Sequence, residues 1–409
     1  MIDTDVKNAM LEDTLRLVRV ESITGDSTGI KKAQRLIEAI ACNFDFKVEY
    51  KANNMIMEIT PKGFAGIADL GVLLHVDTVP YTEKNWSADP LGEIKDDRIY
   101  GRGVIDDKGP IIQTLYAFHE LGTKIRQSWK IIIGSFEEKE WIDLDKYFEE
   151  DPLCPNFMIT VDGSGIQNGC RGFIDYHLKF SRMEKLNSSN SKFHLEKIFV
   201  PNATNNTVPG EAVAVINGEE IRAHGKAVHS SVPETGVNAI EVLYKMIINK
   251  YEINDYPYFF RFMRDMYQKN NASCLGFGYI ESHTDGIHFD TKSSFAVTNC
   301  YIDSDDLLNV IVNVRLSPLV EDDEIEFVKE NLRDDYCCSS VTENFTPGKW
   351  CNSNQPSFTN MLDSYEKVIG TRPNVSIAGA MTYCAAFDNC AISICVNISR
   401  INSFSLFPA

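Results

Sequence analysis

The sequence predicts an α/β fold with a second, inserted domain, and three observations predict it. Short apolar runs at Gly71–Leu74, Lys130–Ile133 and Phe157–Val161 have the length of buried strands. Apolar residues also recur at helical spacing, as at Ile30, Ala33, Leu36, Ile37 and Ile40, so helices and strands alternate through the first half of the chain. From about Gly172 the texture changes to a polar stretch, Ser181–Lys192, then shorter alternating strands and an amphipathic helix around Asn238–Tyr251. A chain of 409 residues, 44% of them hydrophobic, is long enough to build two domains with sizeable cores.

Within the later half, Leu308, Val310, Val312, Val314 and Leu316 fall on one face of a strand, leaving Asn309, Asn313 and Arg315 on the other. Arg315 is thereby free to face a cleft. The turn in KDDRIY and the charge run Glu321–Glu326 read as solvated turns and faces.

Composition excludes several function classes. With 40 Lys and Arg against 58 Asp and Glu, the formal charge of −18 repels phosphate backbones and anionic lipid, so neither nucleic acid nor membrane is an expected partner. Met1–Met10 lacks the basic flank and apolar run of a secretory signal, and no later stretch approaches bilayer length, which predicts a cytoplasmic location. Eleven cysteines without CxxC spacing, two of them adjacent at Cys337 and Cys338, predict reduced thiols.

The three apolar runs of the first half share one feature: each ends in polar residues. His75 and Asp77 follow the first, Glu137 and Glu138 the second, and Asp162 the third. Sites in open α/β sheets lie at such strand ends. In LLHVDTVP the i, i+2 spacing puts His75 and Asp77 on one side of an extended segment, so that Asp77 can hold the imidazole from behind. In GRGVIDDKGP the adjacent Asp106 and Asp107 repel unless a cation neutralises them. Glu137 and Glu138 pose the same problem directly after a buried strand. Asp162, in FMITVDGSG, adds a further acid.

Taken singly, each piece is better read as a capped turn or a surface ion pair. Taken together, they would need four unrelated structural reasons, whereas a hydrolytic metal centre accounts for all of them. Such a centre needs imidazole and carboxylate ligands, an open position for water and a nearby base.

HVDTVP, GRGVIDDKGP, the Glu137–Glu138 pair and VDG, in this order, resemble the signature of the dinuclear zinc peptidase family of aminoacylases and carboxypeptidases. The resemblance continues in NNTVPGEA around Asn206 and in AHGKAVHSSVPETGVNA over Ala223–Ala239. The Asp106–Asp107 pair, SADPLGEIKDDRIYGRG and the long insert point to its PepV-type dipeptidase branch, which includes Xaa-His dipeptidases of carnosinase type. The resemblance implies a catalytic domain with a mainly parallel mixed sheet flanked by helices, formed by residues 1–172 and 339–409 and interrupted by an α+β lid domain at 173–338. It also implies two divalent cations, zinc first, with manganese or cobalt as alternatives.

Carried onto this chain, His75 and Asp162 bind one metal, Asp106 bridges, and Glu138 binds the second. Asp77 orients His75. Glu137 becomes the general base that takes a proton from water activated between two cations and passes it to the leaving amine. His229 would stabilise the oxyanion, Arg315 would clamp the substrate's terminal carboxylate, and Asn206 would add a polar contact. Without the flanking motifs, His229 reads as a solvated histidine and Arg315 as an exposed strand charge. His224, His283 and His288 remain unassigned.

The pattern breaks toward the end. The family's glycine-rich GGGTYAR-like segment corresponds to GAMTYCA at Gly379–Ala385, with Ala380, Met381 and Ala385 departing from it. No histidine follows His288, and Ile392–Ala409 matches nothing in the family, which implies a truncated or altered end and a second metal site short of one ligand. Asp388, Cys390 and Cys395 are chemically able to substitute. The expected function is hydrolysis of dipeptides or short peptides by a monomer. The alternatives are an N-acyl amino acid deacylase and a catalytically impaired homologue.

Overall fold

The computed structural model describes residues 3–163, 165–180, 193–253, 258–268, 281–284, 287–290, 293–318, 320, 322–338, 340–351, 355–387 and 390–391. The polar stretch Ser181–Lys192, the tail Ile392–Ala409, and Asp388 and Cys395 lie outside them, as do the side chains of Cys390, His283 and His288. The chain divides into two compact units. One comprises Met1–Gly169, Trp350–Ala378 and the segment from Thr382; the other comprises Cys170–Lys349 and Gly379–Met381.

The first unit is built on a six-stranded mixed sheet, in the order Phe46–Lys51, Ile56–Pro61, Trp129–Gly134, Leu70–His75, Phe157–Thr160 and Cys390–Ala391. The first three strands run antiparallel to one another, and the remaining pairings are parallel. This mixed sheet with flanking helices agrees with the fold class expected from sequence. Strand alternation sorts its faces. Met57, Ile59, Val72, Leu74, Ile131 and Ile133 pack against Met10, Leu17, Ile30, Ile37, Ile111 and Leu115 of helices Thr4–Val18, Ser27–Asn43 and Lys108–Leu121. The first two helices begin at Asp3 and Asp26, whose carboxylates accept the Asp5 and Thr28 amides, respectively, and so satisfy otherwise orphaned donors.

The opposite face carries charge. Glu58 and Lys130 are 7% and 5% exposed and pair at 2.8 Å; Lys130 also donates to the Leu153 carbonyl, and the Tyr147 hydroxyl donates to Glu58. A buried carboxylate is tolerated here because three groups form one satisfied cluster.

In the second unit, strands Ser294–Ile302, Leu308–Leu316, Gly172–Phe180 and Ser340–Thr346 form an antiparallel sheet in that order. Helices Ala239–Tyr251, Tyr258–Gln268 and Asp322–Tyr336 share its core. Every residue of Leu308–Leu316 is buried, including the polar alternates: Asn309 donates to Asp303 and Asn313 to Asp175. The described part of the charge run, 322–326, lies in the helix Asp322–Tyr336, where Asp322, Asp323 and Glu324 occupy the favourable first turn. Asp96 and Asp97, at φ of 50° and 59°, form the turn of the Glu93–Lys95 and Arg98–Tyr100 hairpin, in the left-handed region that such two-residue turns require. No described helix is long and apolar enough to cross a membrane, and no disulfide joins the described cysteines.

Lys130→Ala leaves Glu58 buried without its cation, and we expect a loss of about 3–5 kcal/mol in urea unfolding. The pair Lys130→Met with Glu58→Gln should recover more than half of that loss. An unchanged midpoint for Lys130→Ala would show that the pair is not a linchpin of this face.

Candidate metal centre

The first-unit candidates converge at the C-terminal ends of the parallel strands. His75 is the last residue of its strand; the Glu137–Glu138 turn follows Gly134, and Asp162 follows Thr160. Asp106 and Asp107 arrive on the loop that opens helix Lys108–Leu121, with a cis peptide between them. One ligand atom each from His75, Asp106 and Asp162 lies within 4.8 Å of the others.

The imidazole of His75 is buried, and each of its nitrogens has a partner. Nδ1 faces the Asp77 carbonyl at 3.1 Å and the Asp77 carboxylate at 3.3 Å, so it carries the proton. Nε2 lies 2.9 Å from Asp106 Oδ1. Burial opposes a charge on this ring, but the Asp106 and Asp77 carboxylates prevail and hold its pKa well above the ordinary histidine value. The proton on Nε2 therefore stands where a Lewis acid would bind the same lone pair.

Asp77 is fully buried and has more than one task. Besides facing His75, it accepts the Thr24 hydroxyl at 2.7 Å and the Glu137 and Glu138 amides at 3.2 and 3.3 Å. Thr24 carries no sequence signal for this role, since it lies 53 residues from Asp77. Asp107 accepts the His75 amide at 3.1 Å through Oδ2, while its buried Oδ1 has no hydrogen-bond partner.

The remaining acids are poorly compensated. Burial pushes Glu137 up to about 8, with His75 opposing and Asp162, Glu138 and Asp106 adding to the rise. Burial, then Asp106, pushes Glu138 up to about 7. Asp162 rises to about 6 through burial, with His75 opposing and Asp106 and Asp77 adding to the rise. Burial also drives Asp107 well above its ordinary value. One imidazole, two carboxylates within ligand distance of one another and an orphaned buried oxygen nearby form a donor set that fits a divalent cation such as zinc. Glu138 is outside the three-residue group.

The second-unit candidates lie close to one another within that unit. The Asn206 carbonyl accepts the Ser230 amide at 2.8 Å, and Thr207 pairs with His229 across a short two-stranded sheet. His229 Nδ1 accepts the Ser231 amide at 3.2 Å and lies 2.7 Å from its hydroxyl, which places the neutral ring's proton on Nε2. Burial, then Arg315, holds His229 below its ordinary value. Arg315 is 7% exposed; its Nε donates to Asn313 Oδ1 at 3.1 Å and to Ser230 Oγ at 3.3 Å, and the guanidinium lies over the Phe173 ring. Ser230, which joins these residues, was not singled out by the sequence pattern.

In the metal-free protein, Glu137, Glu138 and Asp162 have folded-state pKa values above those of the unfolded chain. Their effect on stability is least unfavourable below the unfolded values and worsens as pH rises through about 6, 7 and 8. His75, raised in the folded state, acts in the same direction, since its stabilisation is lost as pH rises through its folded value. In chelator, Tm should therefore fall as pH rises across this range. At one fixed zinc concentration Tm should rise most at the alkaline end, where Kd is lowest, and where that concentration equals 100 times Kd the gain corresponds to about 2.7 kcal/mol of stability. A zinc effect absent or equal throughout would contradict this account.

The profile of peptidase family M20/M25/M40 matches residues 71–397. YtjP of Bacillus subtilis is 30% identical over 250 residues, covering 58% of this chain and 53% of that protein. The beta-Ala-Xaa dipeptidase of Lactobacillus delbrueckii subsp. lactis is 32% identical over 197 residues, covering 47% of this chain and 38% of that protein. The chain thus spans about half the length of the curated relatives it matches. A Staphylococcus aureus tripeptidase structure aligns with a TM-score of 0.57 at 15% identity, covering 95% of this chain and 90% of that one. The aminoacylhistidine dipeptidase of Vibrio alginolyticus aligns with a TM-score of 0.56 at 13% identity, covering 98% and 94%, so the likeness to both structures is one of fold. With a family profile matched over most of its length, the chain belongs to peptidase family M20/M25/M40.

Proposed function

We propose that this chain is a metal-dependent peptidase that hydrolyses dipeptides or short peptides, with Glu137 as general base. The carrying observation is the approach of His75, Asp106 and Asp162 ligand atoms to within 4.8 Å, beside a glutamate whose pKa is raised to about 8. A divalent cation there supplies Lewis acidity, polarising an amide carbonyl and making water easier to deprotonate.

The chain's own residues do the rest. Asp77 keeps the His75 proton on Nδ1, leaving Nε2 to act as a ligand, and fixes the Glu137–Glu138 turn through both amides. Burial makes the Glu137 carboxylate a stronger proton acceptor than a solvated one, as removal of a proton from water requires. The same carboxyl then returns the proton to the departing amine. In this reading His229 donates from Nε2 to the developing oxyanion, and Arg315 and Asn206 recognise the substrate's carboxylate end and backbone. The described residues assemble donors for one cation; a second, held by Asp106 and Glu138, belongs to the proposal. A cytoplasmic monomer is part of the same reading.

With zinc supplied, the purified protein should hydrolyse members of a dipeptide panel. Glu137→Gln should lower kcat by about 10²–10⁴-fold while zinc binding persists. Absence of turnover across the panel, or turnover unaffected by Glu137→Gln, overturns the proposal. Higher kcat/KM on N-acetyl amino acids than on dipeptides would instead select the deacylase reading of the same centre.

A further inference from the structure

The turn carrying Glu137 and Glu138 is held from a second side, by residues that the function above does not use. Asp143 is fully buried; its Oδ2 accepts the Ser135 amide at 2.7 Å and the Phe136 amide at 3.1 Å. The Phe136 amide also donates to Tyr383 Oη at 3.0 Å, and the Tyr383 hydroxyl donates to Asp143. Burial, then the Asp143 charge, holds the Tyr383 phenol well above its ordinary value, so it remains a donor. These partners lie 240 residues apart in sequence.

The ring of Tyr383 serves the same place. It meets Trp141 edge-on at 5.7 Å, and Trp141 Nε1 donates to the Glu137 carbonyl at 2.8 Å. It also meets the His75 imidazole edge-on at 6.3 Å. Gly134 makes room for this arrangement, since a Cβ there would lie 2.3 Å from Tyr383 Cε2 and 2.7 Å from Asp143 Oδ2. One tyrosine, 1% exposed, therefore touches the candidate metal ligand His75, the tryptophan holding the Glu137 carbonyl and the amide before Glu137.

We propose that Tyr383 is a positioning residue: through Asp143 and the Phe136 amide its hydroxyl fixes the Glu137–Glu138 turn, making the aim of both acids depend on the docked 382–387 segment. A tyrosine serving only as core filler needs its ring but not its hydroxyl. Its removal in Tyr383→Phe preserves the ring and leaves both Asp143 and the Phe136 amide with one hydrogen-bond partner fewer. The kinetic consequence rests on Glu137 being the base; the structural consequence does not.

The test compares zinc-loaded wild-type and Tyr383→Phe proteins by hydrogen–deuterium exchange and dipeptide kinetics. Exchange at the 135–138 amides should accelerate at least about fivefold, with helices Thr4–Val18 and Ser27–Asn43 unchanged. In kinetics, kcat should fall about tenfold or more while KM stays within about twofold. Unchanged exchange at 135–138 overturns the proposal, as does acceleration spread evenly over the first unit. If wild type hydrolyses no dipeptide, the proposed activity fails while exchange still decides the role of Tyr383. Should Tyr383→Phe not fold, Asp143→Asn must produce the same local acceleration, and its absence has the same force.

Discussion

The buried carboxylate of Asp77 is the interaction on which the site depends. Its position, two residues beyond the strand Leu70–His75, lets one group face His75 Nδ1 while accepting Thr24 and the amides of Glu137 and Glu138. Removing it from water carries a large cost, offset here by charge-assisted hydrogen bonds from every side. Burial works to raise the pKa of Asp77, but the His75 imidazole, Thr24 and the Glu137 amide hold it below its ordinary value. The group therefore remains a charged acceptor, fixing the imidazole's tautomer and the base-bearing turn together.

Around this anchor the fold concentrates negative charge. Parallel strands deliver their C-terminal ends to one edge of the sheet, and Asp106, Asp107, Glu137, Glu138 and Asp162 collect there with one imidazole to neutralise them. The raised pKa values of four of these acids reflect burial first and this crowding second. A divalent cation relieves it, which couples cation binding to the stability of the unit.

Much of this was legible in the sequence because it is local. Apolar runs ending in polar residues located the strands and the acids after them, and the i, i+2 spacing of His75 and Asp77 placed them side by side. The long-range partners left no such trace. Thr24 and Tyr383 reach the site from 53 and 240 residues away, and Asp143 looks like any acid in a helix's first turn. The strand Leu308–Leu316 was recognisable by its alternation, but alternation alone does not reveal that its polar face is buried. That follows from Asp303, Asp175 and Ser230, which supply partners for Asn309, Asn313 and Arg315.

The central claim is that His75, Asp106 and Asp162 hold a divalent cation with Asp77 behind the imidazole. Anomalous diffraction at the zinc edge from crystals of the zinc-loaded protein tests it most directly. The account predicts a peak about 2.0–2.2 Å from His75 Nε2 and from a carboxylate oxygen of each aspartate. A peak elsewhere on the chain, or none there at saturating zinc, would contradict it.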